Sequence, residues 1–69
     1  MPSVSVILKN GAAIQVEGAN DAKWVFEKMA PGATQNSLML IVSIIEPNKT
    51  ETRGKFRAEE VVGYTVDVR

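Results

Sequence analysis

Apolar and polar residues alternate at the start of this chain, as they do in half-buried strands. The alternation covers two segments, Ser3 to Leu8 and Ala12 to Glu17. If Gly11 adopts the left-handed conformation in a three-residue loop, Val6 pairs with Ile14 and the apolar faces of both segments coincide. The pattern therefore predicts a bulged β-hairpin as the first structural unit.

The next segment carries the signals of a short helix from Asp21 to Ala30. Asn20 can cap the first free N–H groups, and Pro31-Gly32 can end the helix. At about 100° per residue, one side of this helix collects four apolar side chains. They are Ala22, Val25, Phe26 and Met29. Trp24 falls almost opposite them, so it has no place in the core of a monomer.

The segment "SLMLIVSII", from Ser37 to Ile45, is apolar at all but two positions. As a strand it has an inward face of Leu38, Leu40, Val42 and Ile44, and an outward face of Met39, Ile41, Ser43 and Ile45. A single sheet with one helix leaves one of these faces in water. Either a helix covers the second face of a small barrel, or a subunit contact covers it. The predicted interface residues are Trp24, Met39, Ile41 and Ile45, a patch of the kind that marks an interaction site.

A second hairpin is predicted after this strand. Glu46-Pro47-Asn48-Lys49 is typical of a type I turn, and strict alternation resumes from Thr50 to Arg57. On that strand three basic side chains share one face, opposite to Phe56. They are Arg53, Lys55 and Arg57.

The last strand follows a short turn or 3₁₀ segment at Ala58-Glu59-Glu60. Its predicted inward residues are Val62, Tyr64, Val66 and Val68. The element order β-β-α-β-β-β indicates an α+β, strand-rich fold: a small antiparallel sheet with one short helix packed on it, or a bent barrel. The order of elements is similar to that of small SH3-like barrels, but such a similarity implies nothing about activity. Gly54 and Gly63, inside strands, favour the bent barrel.

With 69 residues, the chain is expected to form one small domain, 1–69, with a thin margin of stability. Small domains usually add disulfides, a metal or a partner subunit. Because the chain has no cysteine and no histidine, association is the remaining means of stabilisation. We therefore expect a homo-oligomer, with neither cofactor nor metal.

Charge and hydropathy narrow the classes of partner. Eight basic and eight acidic residues leave the chain with no net positive charge that would attract nucleic acid or anionic lipid. The first residues lack the features of a secretory signal, and the longest apolar run is about half a membrane span. The expectation is a cytoplasmic protein with no membrane partner.

No motif in the sequence indicates catalysis. Histidine and cysteine, the usual proton shuttle and the most accessible nucleophile, are absent. The adjacent carboxylates Glu59 and Glu60 are expected on a solvated turn, because neighbours on such a segment diverge. The sequence therefore favours a non-enzymatic protein.

The basic stripe Arg53, Lys55 and Arg57 is the sharpest candidate for an anion or nucleic-acid site. Alternate residues of a strand lie about 6.6 Å apart, a spacing that lets cations follow a phosphate backbone. The competing interpretation is an edge strand that uses charge to block pairing with other chains. Two functions follow: a self-associating module that binds a protein or small ligand, or a nucleic-acid-binding barrel.

Overall fold

A computed structural model of the chain describes residues 1–28, 30–32 and 34–68. The described residues form six strands and one 3₁₀ turn, Ala58–Glu60, between the last two strands. The strands are β1 (Ser3–Leu8), β2 (Ala13–Glu17), β3 (Asp21–Lys28), β4 (Asn36–Glu46), β5 (Lys49–Arg57) and β6 (Val61–Asp67). Within this part of the chain, no helix is long and apolar enough to cross a membrane.

The strands form two antiparallel sheets of three strands each, ordered β2-β1-β6 and β3-β4-β5. The predicted β1–β2 hairpin is confirmed, because Val6 lies opposite Ile14. The Leu8 N–H donates to the Ala12 carbonyl at 2.8 Å, which leaves a three-residue loop. Gly11 in that loop has φ +90°, a left-handed conformation that favours glycine.

The helix predicted from Asp21 to Ala30 is wrong, because Asp21–Lys28 forms the strand β3. Eight residues of β3 pair with β4, from Asp21 opposite Ser43 to Lys28 opposite Asn36. Trp24, Val25 and Phe26 are residue types that favour strands. Met29, the fourth member of the predicted helical stripe, lies outside the described residues. The decisive factor is non-local, since β3 hydrogen-bonds to one edge of the long apolar strand.

The predicted position of the turn after β4 is confirmed, with Glu46 opposite Lys49 at its base. The strict alternation predicted for β5 is wrong, since Gly54 lies opposite Val42 but Thr52 lies opposite Ser43. Arg53 is therefore the extra residue of a β-bulge. Because of the extra residue, Thr52 lies on the outer face together with Lys55. The predicted alternation puts Thr52 on the inner face with Gly54.

The last strand, β6, returns to the first sheet and pairs with β1. Tyr64 lies opposite the buried Val6, so its predicted inward position is confirmed. A second register shift makes Val62 an extra residue, and the predicted inward position of Val62 is wrong. Val61 is buried instead, and Val62 is 68% exposed. Gly54 and Gly63 thus lie beside β-bulges.

The two sheets pack their inner faces on one apolar core. Its buried members are Val4, Val6, Ala19, Leu40, Val42 and Val61. The chain passes from one sheet to the other at Gly18-Ala19-Asn20, where Gly18 donates its N–H to the Pro2 carbonyl at 2.8 Å. The predicted strand-rich fold with antiparallel pairing is confirmed, but the described strands form two sheets, so neither the predicted single sheet nor the predicted barrel is found.

The domain is thin for its length. Its principal extents are 39 × 34 × 13 Å and its radius of gyration is 12.7 Å, against about 11 Å for a compact domain of this size. Two sheets with so small a common core leave part of each inner face uncovered.

Candidate interaction surface

The inner face of the β3-β4-β5 sheet extends past the part that the other sheet covers. Leu40 and Val42 are fully buried, whereas Leu38, nearer the start of β4, is half-buried. Phe26 lies directly opposite Leu38 on the same face and is 72% exposed. An apolar side chain therefore meets solvent on a surface that elsewhere forms the core.

Two further rings continue this exposed end. Trp24, on the same face of β3 as Phe26, is 41% exposed. Its ring lies edge-to-face against Tyr64 of β6, with ring centroids 6.1 Å apart and an interplanar angle of 63°, within the range that aromatic pairs prefer. We call Trp24, Phe26, Leu38 and Tyr64 the aromatic patch. It joins the two sheets on one side and meets water on the other.

The aromatic patch differs from the predicted interface. Trp24 belongs to both, but Met39, Ile41 and Ile45 lie on the opposite face of the sheet, because they alternate with Leu40 and Val42 along β4. The alternation of Ala22, Trp24 and Phe26 could have placed Phe26 beside Trp24. The helical interpretation put Phe26 in the core instead.

Charged side chains cover much of the outer face of β4. Ile41 is only 5% exposed, although no further layer lies over it among the described residues. It is flanked by Lys23 on β3 and Lys55 on β5. The Lys55 ammonium reaches the Glu27 carboxylate at 3.1 Å, so the aliphatic stem of Lys55 crosses the middle strand. Long side chains shield apolar surface in this way while their charged heads stay in water.

The other two predicted residues of this face differ in exposure. Met39 is half-buried and lies beside Arg57. Ile45, near the end of β4, is exposed, and its backbone N–H and carbonyl are both bound by the Asn20 side chain, at 2.8 and 2.9 Å. Ile45, 45% exposed, is therefore the most exposed of the three predicted outer residues.

Each cation of the basic stripe lies near a carboxylate. Arg53 is 3.7 Å from Glu51, and Arg57 is 3.7 Å from Glu59. Lys55 makes the closer contact with Glu27 already described. The Phe56 ring lies on the core side of β5, opposite Leu40, as predicted from its position between Lys55 and Arg57. The stripe thus offers neither unpaired cations nor an interleaved stacking ring.

The surface of the described residues includes two depressions. One, of about 290 Å³, is lined by Leu8, Lys9, Asn10, Glu59 and Glu60. The other, of about 230 Å³, is lined by Glu27, Lys28, Ser37, Met39 and Arg57. Both lie at or below the lower end of the roughly 300–1,000 Å³ range of ordinary small-molecule sites. No cluster of three or more acidic side chains in the described residues is placed to hold a metal ion.

No protein-family model, curated protein or solved structure matches the chain.

Proposed function

We propose that this chain is a small non-enzymatic interaction module that self-associates through its aromatic patch. The observation that carries the proposal is the exposure of Phe26 and Trp24 on a face that otherwise forms the core. Aromatic side chains, phenylalanine included, are enriched in protein interfaces, and tryptophan is enriched among the residues that contribute most of the binding energy.

The total surface supports association. The domain exposes 4856 Å², about 600 Å² more than expected for a compact monomer of 7.5 kDa. A standard interface buries about 800 Å² per partner. The excess surface is therefore about three quarters of what one partner contributes to a standard interface.

A protein surface suits the aromatic patch better than a small ligand does. None of the residues that line the two depressions belongs to the patch, and both depressions are small. The patch itself is an open sheet end. The absence of histidine and cysteine from the sequence supports a non-enzymatic role.

The nucleic-acid alternative has less support. Nucleic-acid binding needs cations that neutralise phosphates and so release the counterions condensed on the nucleic acid, whereas Arg53, Lys55 and Arg57 each lie beside a carboxylate. The stripe fits the role of a charged edge strand, which blocks pairing with other chains.

The test is the mass of the protein in solution, measured by sedimentation from micromolar to millimolar concentration. We expect the wild-type chain to form a dimer, and Phe26→Ser to weaken it at least tenfold, because the substitution removes the most exposed ring of the patch. Ile45→Ser is the matched control: it removes an exposed apolar side chain from the opposite face and should leave the mass unchanged.

Trp24 provides a second readout, since it is the one tryptophan of the chain. Its emission should shift to shorter wavelength as the concentration rises, and this shift should be lost in Phe26→Ser. A wild-type chain that stays monomeric over the whole range, or a Phe26→Ser variant that associates as the wild type does, would overturn the proposal.

A further inference from the structure

The four edge strands of the two sheets differ in how their unpaired edges are protected from pairing with another chain. β5 carries five charged residues and a bulge, and β3 carries four charged residues. Charged side chains along an edge keep it from pairing with another chain. The edges of the β3-β4-β5 sheet are therefore blocked.

The edges of the other sheet are less charged. β2 has five residues and ends in Glu17, and a strand this short offers few backbone groups. β6 has seven residues, and Asp67 at its end is the sole charged one. In the part of the chain that the structure describes, β6 has a hydrogen-bonded neighbour on its β1 side only. It is thus the longest edge without a charge in its interior.

We propose that β6 is the edge on which a second copy of this chain adds, in antiparallel register about a two-fold axis. The proposal rests on the proposed function, since it specifies where self-association takes place. Pairing of two copies along β6 joins their three-stranded sheets into one six-stranded sheet. Such a contact is self-complementary, as closed dimers require.

The bulge in β6 defines the register. After the extra residue Val62, the segment Gly63–Asp67 is regular. All five of its residues pair if Thr65 lies opposite Thr65 of the second copy. Tyr64 then lies opposite Val66 of the second copy, an aromatic and β-branched pair of the kind that stabilises sheets. Each Asp67 lies opposite a glycine.

This register also involves the aromatic patch. Opposite residues of an antiparallel pair lie on the same face, so both inner faces lie on one side of the joined sheet. Tyr64, which contacts Trp24, then lies close to the two-fold axis. Val66, 39% exposed on the inner face, is covered by the second copy. The edge and the patch thus form one continuous surface.

The test places a charge on the edge and leaves the patch intact. Thr65 is exposed, so Thr65→Lys should fold normally, as far-ultraviolet circular dichroism will show. It sets two ammonium groups opposite each other at the two-fold axis, and we expect the dimer dissociation constant to rise about tenfold. Thr50→Lys makes the same change on the charged edge of β5 and should dimerise as the wild type does.

Cysteine cross-linking tests the register directly, because the chain has no cysteine of its own. Opposite Cα atoms in an antiparallel pair are about 4.5–5.5 Å apart, within disulfide reach. Thr65→Cys should therefore form a disulfide-linked dimer under mild oxidation at concentrations where Thr50→Cys stays monomeric.

The outcomes separate this inference from the proposed function. If Phe26→Ser dissociates the dimer while Thr65→Lys leaves it intact, edge pairing is overturned and association through the patch stands. Equal cross-linking of Thr65→Cys and Thr50→Cys also overturns the edge. A wild-type chain that is monomeric at all concentrations overturns both proposals.

Discussion

The side chain of Lys55 provides the sharpest test of how Ile41, on the outer face of β4, is shielded from water. Lys55 lies opposite Ile41, and its ammonium is 3.1 Å from the Glu27 carboxylate. Two contributions could stabilise this arrangement: the ion pair itself, or the aliphatic stem that covers Ile41. Lys55→Ala removes both contributions, whereas Lys55→Met keeps a stem of similar length and removes the charge.

The structure allows the two contributions to be estimated. Lys55→Ala deletes three methylenes, each worth about 0.8 kcal/mol when fully buried, and the side chain is 50% exposed. The lost burial is therefore about 1 kcal/mol. An exposed ion pair contributes about 0–1 kcal/mol. We expect Lys55→Ala to cost about 1–2 kcal/mol and Lys55→Met to cost at most about half as much.

Urea unfolding at one fixed protein concentration measures these differences. The total stability of a chain of 69 residues is about 3–10 kcal/mol, so a loss of 1–2 kcal/mol shifts the midpoint clearly. Melting temperature should fall by about 5–15 °C in Lys55→Ala. Lys49→Ala, which removes the same atoms opposite Glu46, should change little. If Lys55→Met unfolds as easily as Lys55→Ala, the stem does not protect Ile41 and the reasoning is refuted.

Two further predictions concern single residues that define the backbone conformation. Gly11→Ala should destabilise the domain by about 1–2 kcal/mol, measured by the same unfolding assay, because Gly11 has φ +90° while no atom lies within 4 Å of the added Cβ. Gly63→Ala is its control, also with open space around the Cβ but without a left-handed φ, and a cost equal to that of Gly11→Ala would contradict the explanation. Asn20→Ala should cost about 1–2 kcal/mol, because both hydrogen bonds to Ile45 are lost; hydrogen exchange of the Ile45 amide should quicken, and an unchanged rate would refute the role of Asn20.

The first hairpin could be predicted from the sequence because its determinants are local. Register follows from matching the apolar faces of two neighbouring segments, and Gly11 supplies the left-handed residue that a three-residue loop needs. The turn at Pro47-Asn48 is local in the same way, with Glu46 opposite Lys49. Both predictions need only residues that are close together in the chain.

The segment of β3 could not be assigned in this manner. Asn20 and Pro31-Gly32 are boundary signals for a helix, but residues of these types also bound strands. Periodicity in a segment this short fits a helical stripe as well as alternation. The choice between helix and strand depends on β4, which pairs with eight residues of β3. The same kind of dependence hid both bulges, because a bulge exists only relative to the partner strand.

The course of β4 also explains why an interface is expected at the aromatic patch and not on the outer face. On the outer face, Ile41 is already covered by its charged neighbours, so a partner there would have to displace an ion pair. On the inner face, the second sheet is too short to cover Phe26 and Leu38. At that end of the inner face, apolar side chains are exposed to water, and a partner could cover them without displacing an ion pair. Because the same end contains Tyr64 of β6, the edge strand with no charge in its interior, one second copy can cover both the patch and the edge.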